Sequence, residues 1–176
     1  MAPAFFRFLR NPAPWLLALI IVAAVILLYG PFLWNPLVFD DMYFFLDAKT
    51  AYEYGHSFFH FDLRWLPYAS LGWTANLLGL DLIWFRLGNL LLHVANVIAL
   101  FIFLRKLLSA IQPTERGLSA QWLAFFGALI FALHPVAVYG AGYLIQRTIL
   151  MATLFVLLMA GFYFGLIPPQ GLRLFH

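Results

Sequence analysis

The chain has 176 residues, of which 65% are hydrophobic, 19% aromatic and only 10% charged, with a formal net charge of +3. A water-soluble domain usually carries about 25% charged residues, so this sequence cannot cover itself with a hydrated surface and reads as an integral membrane protein. Its ten basic residues are scattered among apolar runs, which argues against a nucleic-acid partner, and the absence of cysteine excludes disulfides, thiolate nucleophiles and sulfur-ligated metals.

A bilayer-crossing helix needs roughly 20 mostly apolar residues. The first such stretch is 13–34. Arg7 and Arg10 precede it, as in a signal peptide. Its apolar run is long, however, and Tyr29-Gly30-Pro31-Phe32 follows instead of a small-residue cleavage site, so an uncleaved anchor is expected. Gly30-Pro31 should end or kink this helix. The next segment, 35–81, interleaves aromatic residues (Tyr43, Phe58, Trp65, Tyr68 and Trp73 among them) with charges. That composition fits short amphipathic helices lying on the outer leaflet, with a compact loop docked on the bundle as the alternative.

The second span is 82–104. The third, about 118–134, is short for a bilayer crossing and runs into His134-Pro135. The fourth, about 148–167, stops at Pro168-Pro169. Its helix could begin earlier, because Pro135 suits a first helical position, although Gly140 and Gly142 weaken that extension. The expected fold is therefore an all-α polytopic membrane bundle, a single transmembrane domain of about four helices with short interfacial helices in the first outer loop. Basic residues orient it. Arg7, Arg10, Arg105, Lys106, Arg116 and Arg173 face one acid, Glu115, on one side. Lys49, Arg64, Arg86 and Arg147 face Asp40, Asp41, Asp47, Glu53, Asp62 and Asp81 on the other. Both termini should lie in the cytoplasm.

Polar groups inside apolar spans are the candidates for function. Arg86, Asn89, His93 and Asn96 occupy offsets that fall on one helix face roughly 80° wide at 100° per residue. Two roles compete for this stripe: hydrogen-bonding glue between helices, or the wall of a polar site. Asp40-Asp41, just beyond the first span, offers a carboxylate whose pKa a like-charged neighbour and a low-dielectric boundary could raise, as a general base requires. A solvated loop acid or a helix cap is the competing reading. Arg64 and Arg147 carry the planar fork that matches phosphate oxygens, or else pair with nearby acids. His56 and His60 have metal-ligand spacing only if helical and lack a third ligand of defined spacing. No P-loop, dinucleotide turn, G-x-S-x-G or HExxH motif is present.

Four segments in order carry a resemblance: Val38-Phe39-Asp40-Asp41, Arg64-Trp65-Leu66-Pro67-Tyr68, Phe85-Arg86 through Asn96, and Ala132-Leu133-His134-Pro135-Val136 leading to Tyr143-Leu144-Ile145-Gln146-Arg147. Over residues 15–165 the chain resembles the N-terminal part of GT-C-type membrane glycosyltransferases. It is most similar to bacterial relatives of the tetratricopeptide-containing protein O-mannosyltransferases. The resemblance implies an enzyme of the bacterial cytoplasmic membrane that uses a sugar carried on polyprenyl phosphate at the outer face. It implies Asp40, or secondarily Asp41, as catalytic base. It also implies Arg64 or Arg147 on the donor phosphate, with Arg86, Asn89, His93 and His134 shaping the substrate site. No cofactor is implied, and a divalent metal stays open. Membrane lipid and further membrane subunits are the expected partners. The sequence departs from the family in lacking an acid shortly after His134-Pro135-Val136 and in having fewer spans, so it is expected to be a fragment, a truncated product or a subunit completed by another polypeptide, and inactive by itself. Two further functions compete: a non-catalytic membrane assembly protein whose Arg86–Asn96 stripe docks partner helices, and, less favoured, a transporter subunit.

Overall fold

In the computed structural model, residues 12–38, 40–46, 53–54, 56, 63–111 and 119–166 are described. The described residues are helical and contain no strand. The elements are α1 (Pro14–Tyr29), extended by a 3-10 turn over Gly30–Trp34, α2 (Asp41–Leu46), α3 (Trp65–Leu78), α4 (Leu82–Ile111), α5 (Ala120–Leu133), α6 (Ala137–Gly142), a 3-10 turn over Leu144–Gln146, and α7 (Arg147–Leu166). Three segments, Pro14–Trp34, Leu82–Ile111 and Leu144–Gly165, are long and apolar enough to cross a membrane, and the 14-residue α5 is a shorter apolar helix. The protein is thus an all-α membrane protein.

Local chemistry explains the boundaries. Pro14 opens α1, where its missing N–H costs nothing, and α-helix gives way to 3-10 turn at Gly30-Pro31 as expected. Gly79 ends α3 with φ +82°, a conformation that a side chain would disfavour, and its N–H returns to Ala75 O at 3.0 Å. Asp81 caps α4 by accepting the Ile83 N–H at 3.2 Å. That helix continues to Ile111, past the expected 104, because nothing in Arg105–Ile111 breaks it. At the end of α5, His134 is extended, the conformation that a following proline enforces.

The chain forms two compact units. The first comprises residues 1–25, 94–134 and 154–176. Leu17, Ile21 and Val25, four residues apart on α1, are buried, as are Val97 and Phe101 of α4 and Ala124, Ala128 and Ala132 of α5. Small residues let helices approach closely where lipid supplies no hydrophobic drive: a Cβ on Gly127 would lie 3.0 Å from Leu104 Cδ1. Phe103 and Phe164 pack edge to face at 5.4 Å.

The second unit comprises residues 26–93 and 135–153. Its apolar core is Leu71, Phe85 and Leu144, with Leu37, Phe45, Tyr68, Ala75, Leu82 and Ile145 packed around them. Phe45 of α2 meets Phe85 edge to face at 4.7 Å. The expected early start of the last span takes a particular form here. Helix resumes after Pro135 as α6, breaks at an extended Tyr143, and starts again at Arg147.

Candidate functional site

Arg86, Asn89, Asp41 and Arg147 belong to the second unit and converge around the break between α6 and α7. A helix break in an apolar environment leaves backbone N–H and C=O groups that must find partners. Three side chains supply them. Asn89 Nδ2 donates to the carbonyls of Gly140 (3.3 Å), Tyr143 (3.2 Å) and Leu144 (3.2 Å). Arg86 donates through Nη1 to Gly142 O (2.9 Å) and Phe32 O (3.3 Å), and through Nη2 to Pro36 O (2.7 Å). Asp41 accepts the N–H groups of Leu144 (3.1 Å) and Ile145 (2.9 Å) on its two carboxylate oxygens.

Arg147 begins α7 and points back into the same unit. Its Nε donates to Asn89 Oδ1 (2.8 Å), Nη2 to Phe85 O (2.8 Å), and Nη1 to Ser70 Oγ (3.2 Å) and Thr74 Oγ1 (3.4 Å) of α3. These acceptors are all neutral, and the side chain is 3% exposed. Gly88 makes room for it: a Cβ there would lie 2.7 Å from Arg147 Nη2. His93 is also buried, with Tyr29 edge-on at 5.2 Å. The predicted stripe is therefore inward-facing, with Arg86, Asn89, His93 and, in the first unit, Asn96 all buried. For Asn89 and Arg86 the glue role is the observed one: Arg86 binds backbone carbonyls, and Asn89 binds three carbonyls and the Arg147 guanidinium.

The two adjacent acids differ completely. Asp41 is 0% exposed, and burial pushes its carboxyl above the usual carboxylate range, against the opposing pull of the Ile145 and Leu144 amides and of Arg86. Asp40 is exposed, and its backbone N–H donates to the Tyr143 hydroxyl at 3.1 Å. Tyr143 is itself buried, which raises its phenol pKa and keeps it a proton donor. Arg64 is exposed at the N-terminus of α3, where Nη1 donates to the Tyr68 hydroxyl at 3.4 Å. His134 belongs to the first unit. His56 is exposed, while Lys49 and His60 lie outside the described residues. No group of three metal-ligating side chains occurs among the described residues.

Beside the break is a cavity of about 620 Å³ whose walls include Phe32, Pro36, Val38, Val138, Tyr139 and Tyr143, with Arg86 at its edge. Tyr143 thus serves twice, as cavity wall and as anchor for Asp40. Nothing in the sequence singled it out, nor Ser70, Thr74 or Gly88, because their importance comes from partners far along the chain. Comparison with protein-family models, curated proteins and solved structures returns no match to this chain.

Proposed function

We propose that this chain takes part in transferring a sugar from a polyprenyl-phosphate donor to an acceptor hydroxyl at the outer face of a bacterial cytoplasmic membrane, as part of a larger assembly. The observation that carries the reading is the exposed carboxylate of Asp40, fixed through its backbone to the buried Tyr143 just beyond the first span. A base must be reachable by substrate and held in place, and Asp40 meets both requirements. Asp41 does not meet the first, since its oxygens are taken by two amides.

In this reading Asp40 accepts the proton of the acceptor hydroxyl as that oxygen attacks the anomeric carbon. The bond from that carbon to the lipid phosphate breaks, and the phosphate leaves with the bonding pair, inverting the centre. Arg64, exposed at the N-terminus of α3, stabilises the departing anion. Arg86 and Arg147, already engaged with internal oxygens, hold the backbone that positions Tyr143. Segment 35–81 faces outward and both termini face inward. The alternative assembly role would present the Arg86–Asn96 stripe to partner helices, but Arg86, Asn89 and His93 are buried within their own unit.

The test is Asp40→Asn in membranes that contain the chain and its assembly partners, supplied with polyprenyl phosphates charged with tritiated hexoses or pentoses. The variant is expected to insert at the wild-type level and to form no labelled product. Product formation at the wild-type rate would overturn the assignment.

A further inference from the structure

The cavity beside the break has a different chemistry from the exposed carboxylate. Its volume, about 620 Å³, is that of a ligand pocket rather than of a packing defect. Most of its walls are valine, proline, phenylalanine and tyrosine, and Arg86 is the one charged residue lining it among the described residues. That charge is largely answered, with Nε alone of its three nitrogens lacking a hydrogen-bond partner. Two of the guanidinium nitrogens donate to the carbonyls of Phe32, Pro36 and Gly142, and the Asp41 carboxylate acts on it electrostatically. Charge complementarity therefore calls for a neutral, aliphatic occupant. An anionic phosphate would find the guanidinium largely committed and the rest of the wall unable to solvate it.

Position points to the same class of ligand. Phe32 lies in the last turn of the Pro14–Trp34 span, and Gly142 and Tyr143 immediately precede the Leu144–Gly165 span. The cavity thus lies beside the ends of two segments of membrane-crossing length, and the end of a span is where hydrocarbon gives way to head groups. Its rim is apolar and open, with Val136 70% and Tyr139 53% exposed, so a hydrocarbon chain enters without crossing a polar barrier. Asn35 and the Tyr139 hydroxyl stand at the rim as polar contacts for whatever the chain is attached to. An apolar cavity left to itself stays dry and takes up apolar molecules, and bilayer lipid is the apolar species always at its mouth.

We propose that this cavity holds one acyl chain of a bilayer phospholipid, with the head group outside near Asn35 and Tyr139. The proposal does not rest on sugar transfer. A lipid seated here packs against Tyr143, the extended residue at the helix break.

The test uses the full chain in phosphatidylcholine bilayers doped with phosphatidylcholine carrying a photoactivatable group on one acyl chain. Adducts are expected on segments 32–38 and 135–143, with competition by excess unlabelled phosphatidylcholine. Val138→Trp, which fills the cavity, should abolish those adducts and leave labelling of the exposed Val156 and Phe162 on α7 unchanged. Should that variant fail to insert, Gly142→Leu serves the same end, since a Cβ at Gly142 makes only ordinary contacts at 3.7 Å with Phe32 and Val138. Adducts confined to the outer surfaces of α1, α4 and α7, or unchanged in the filled variants, would overturn the proposal. So would preferential competition by polyprenyl phosphate, which would give the cavity to the sugar carrier instead. Asp40→Asn should leave the labelling intact, so failure of the transfer reading and failure of this one are separately visible.

Discussion

Asn89 and Arg147 meet in a 2.8 Å hydrogen bond from the guanidinium Nε to the amide Oδ1, although 58 residues separate them in sequence. The amide is used from both ends: its oxygen fixes the arginine that starts α7, and its nitrogen gathers three carbonyls from the preceding break. Each buried polar group left without a partner costs about 1–3 kcal/mol. Asn89→Leu should therefore lower the unfolding temperature of the detergent-purified protein markedly. Because Arg147→Met removes part of the same network, the double variant should lose less than the two single losses combined. Strict additivity would show that the two side chains act independently.

The two neighbouring acids should respond oppositely to the same substitution. Asp41→Asn turns one acceptor into an N–H group facing the amide of Leu144 or Ile145, and a loss of about 1–3 kcal/mol is expected. Asp40→Asn changes an exposed side chain and should alter stability by less than about 0.5 kcal/mol. Thermal melts of both variants beside wild type decide this. Equal losses would remove the distinction between a buried acceptor and an exposed carboxylate.

Titration of Asp41 gives a signed expectation. Burial raises its carboxyl pKa in the folded protein, so the folded form binds the proton more tightly than the unfolded chain does. Its contribution to stability is then fully present below the ordinary carboxylate range and is lost as pH rises through the raised value. Measured across acid to neutral pH, the stability of wild type relative to Asp41→Asn should fall as pH increases. A rise over that interval would mean that the amides and Arg86 outweigh burial.

Gly88 tests the close approach of α4 to the buried guanidinium. In Gly88→Ala the new methyl would begin 2.7 Å from Arg147 Nη2 and must displace it from Phe85 O. Overpacking of this kind costs about 1–3 kcal/mol, which exceeds the helix-propensity gain of about 1 kcal/mol from replacing glycine by alanine. A net loss of thermal stability is expected, and a gain would show that the arginine has room to move. Gly161, where an added Cβ meets nothing within 4 Å, is the control position at which alanine should be neutral or stabilising.

Much of the architecture could be read along the chain. Apolar run length places the spans, and Gly30-Pro31 and His134-Pro135 mark their ends, because hydrophobicity and backbone freedom are properties of a residue and its near neighbours. The inward face of α4 followed from the spacing of Arg86, Asn89, His93 and Asn96. The resemblance ranks Asp40 above Asp41, and the fold adds a difference that no local pattern carries: Asp41 is buried and Asp40 exposed. Arg147 illustrates the opposite case. Its sequence context allowed a phosphate ligand as readily as an internal bond, and the structure gives it four internal acceptors.

Sequence alone determined that this is a helical membrane protein, where its helices run and which face of α4 turns inward, since each of these is set by local composition and the helical repeat. The tertiary structure alone decided how the break at Tyr143 is stabilised and which polar side chains remain available for chemistry. The physical reason is distance along the chain: Asp41 reaches amides 103 and 104 residues away, and no local pattern encodes which donor a buried carboxylate will meet.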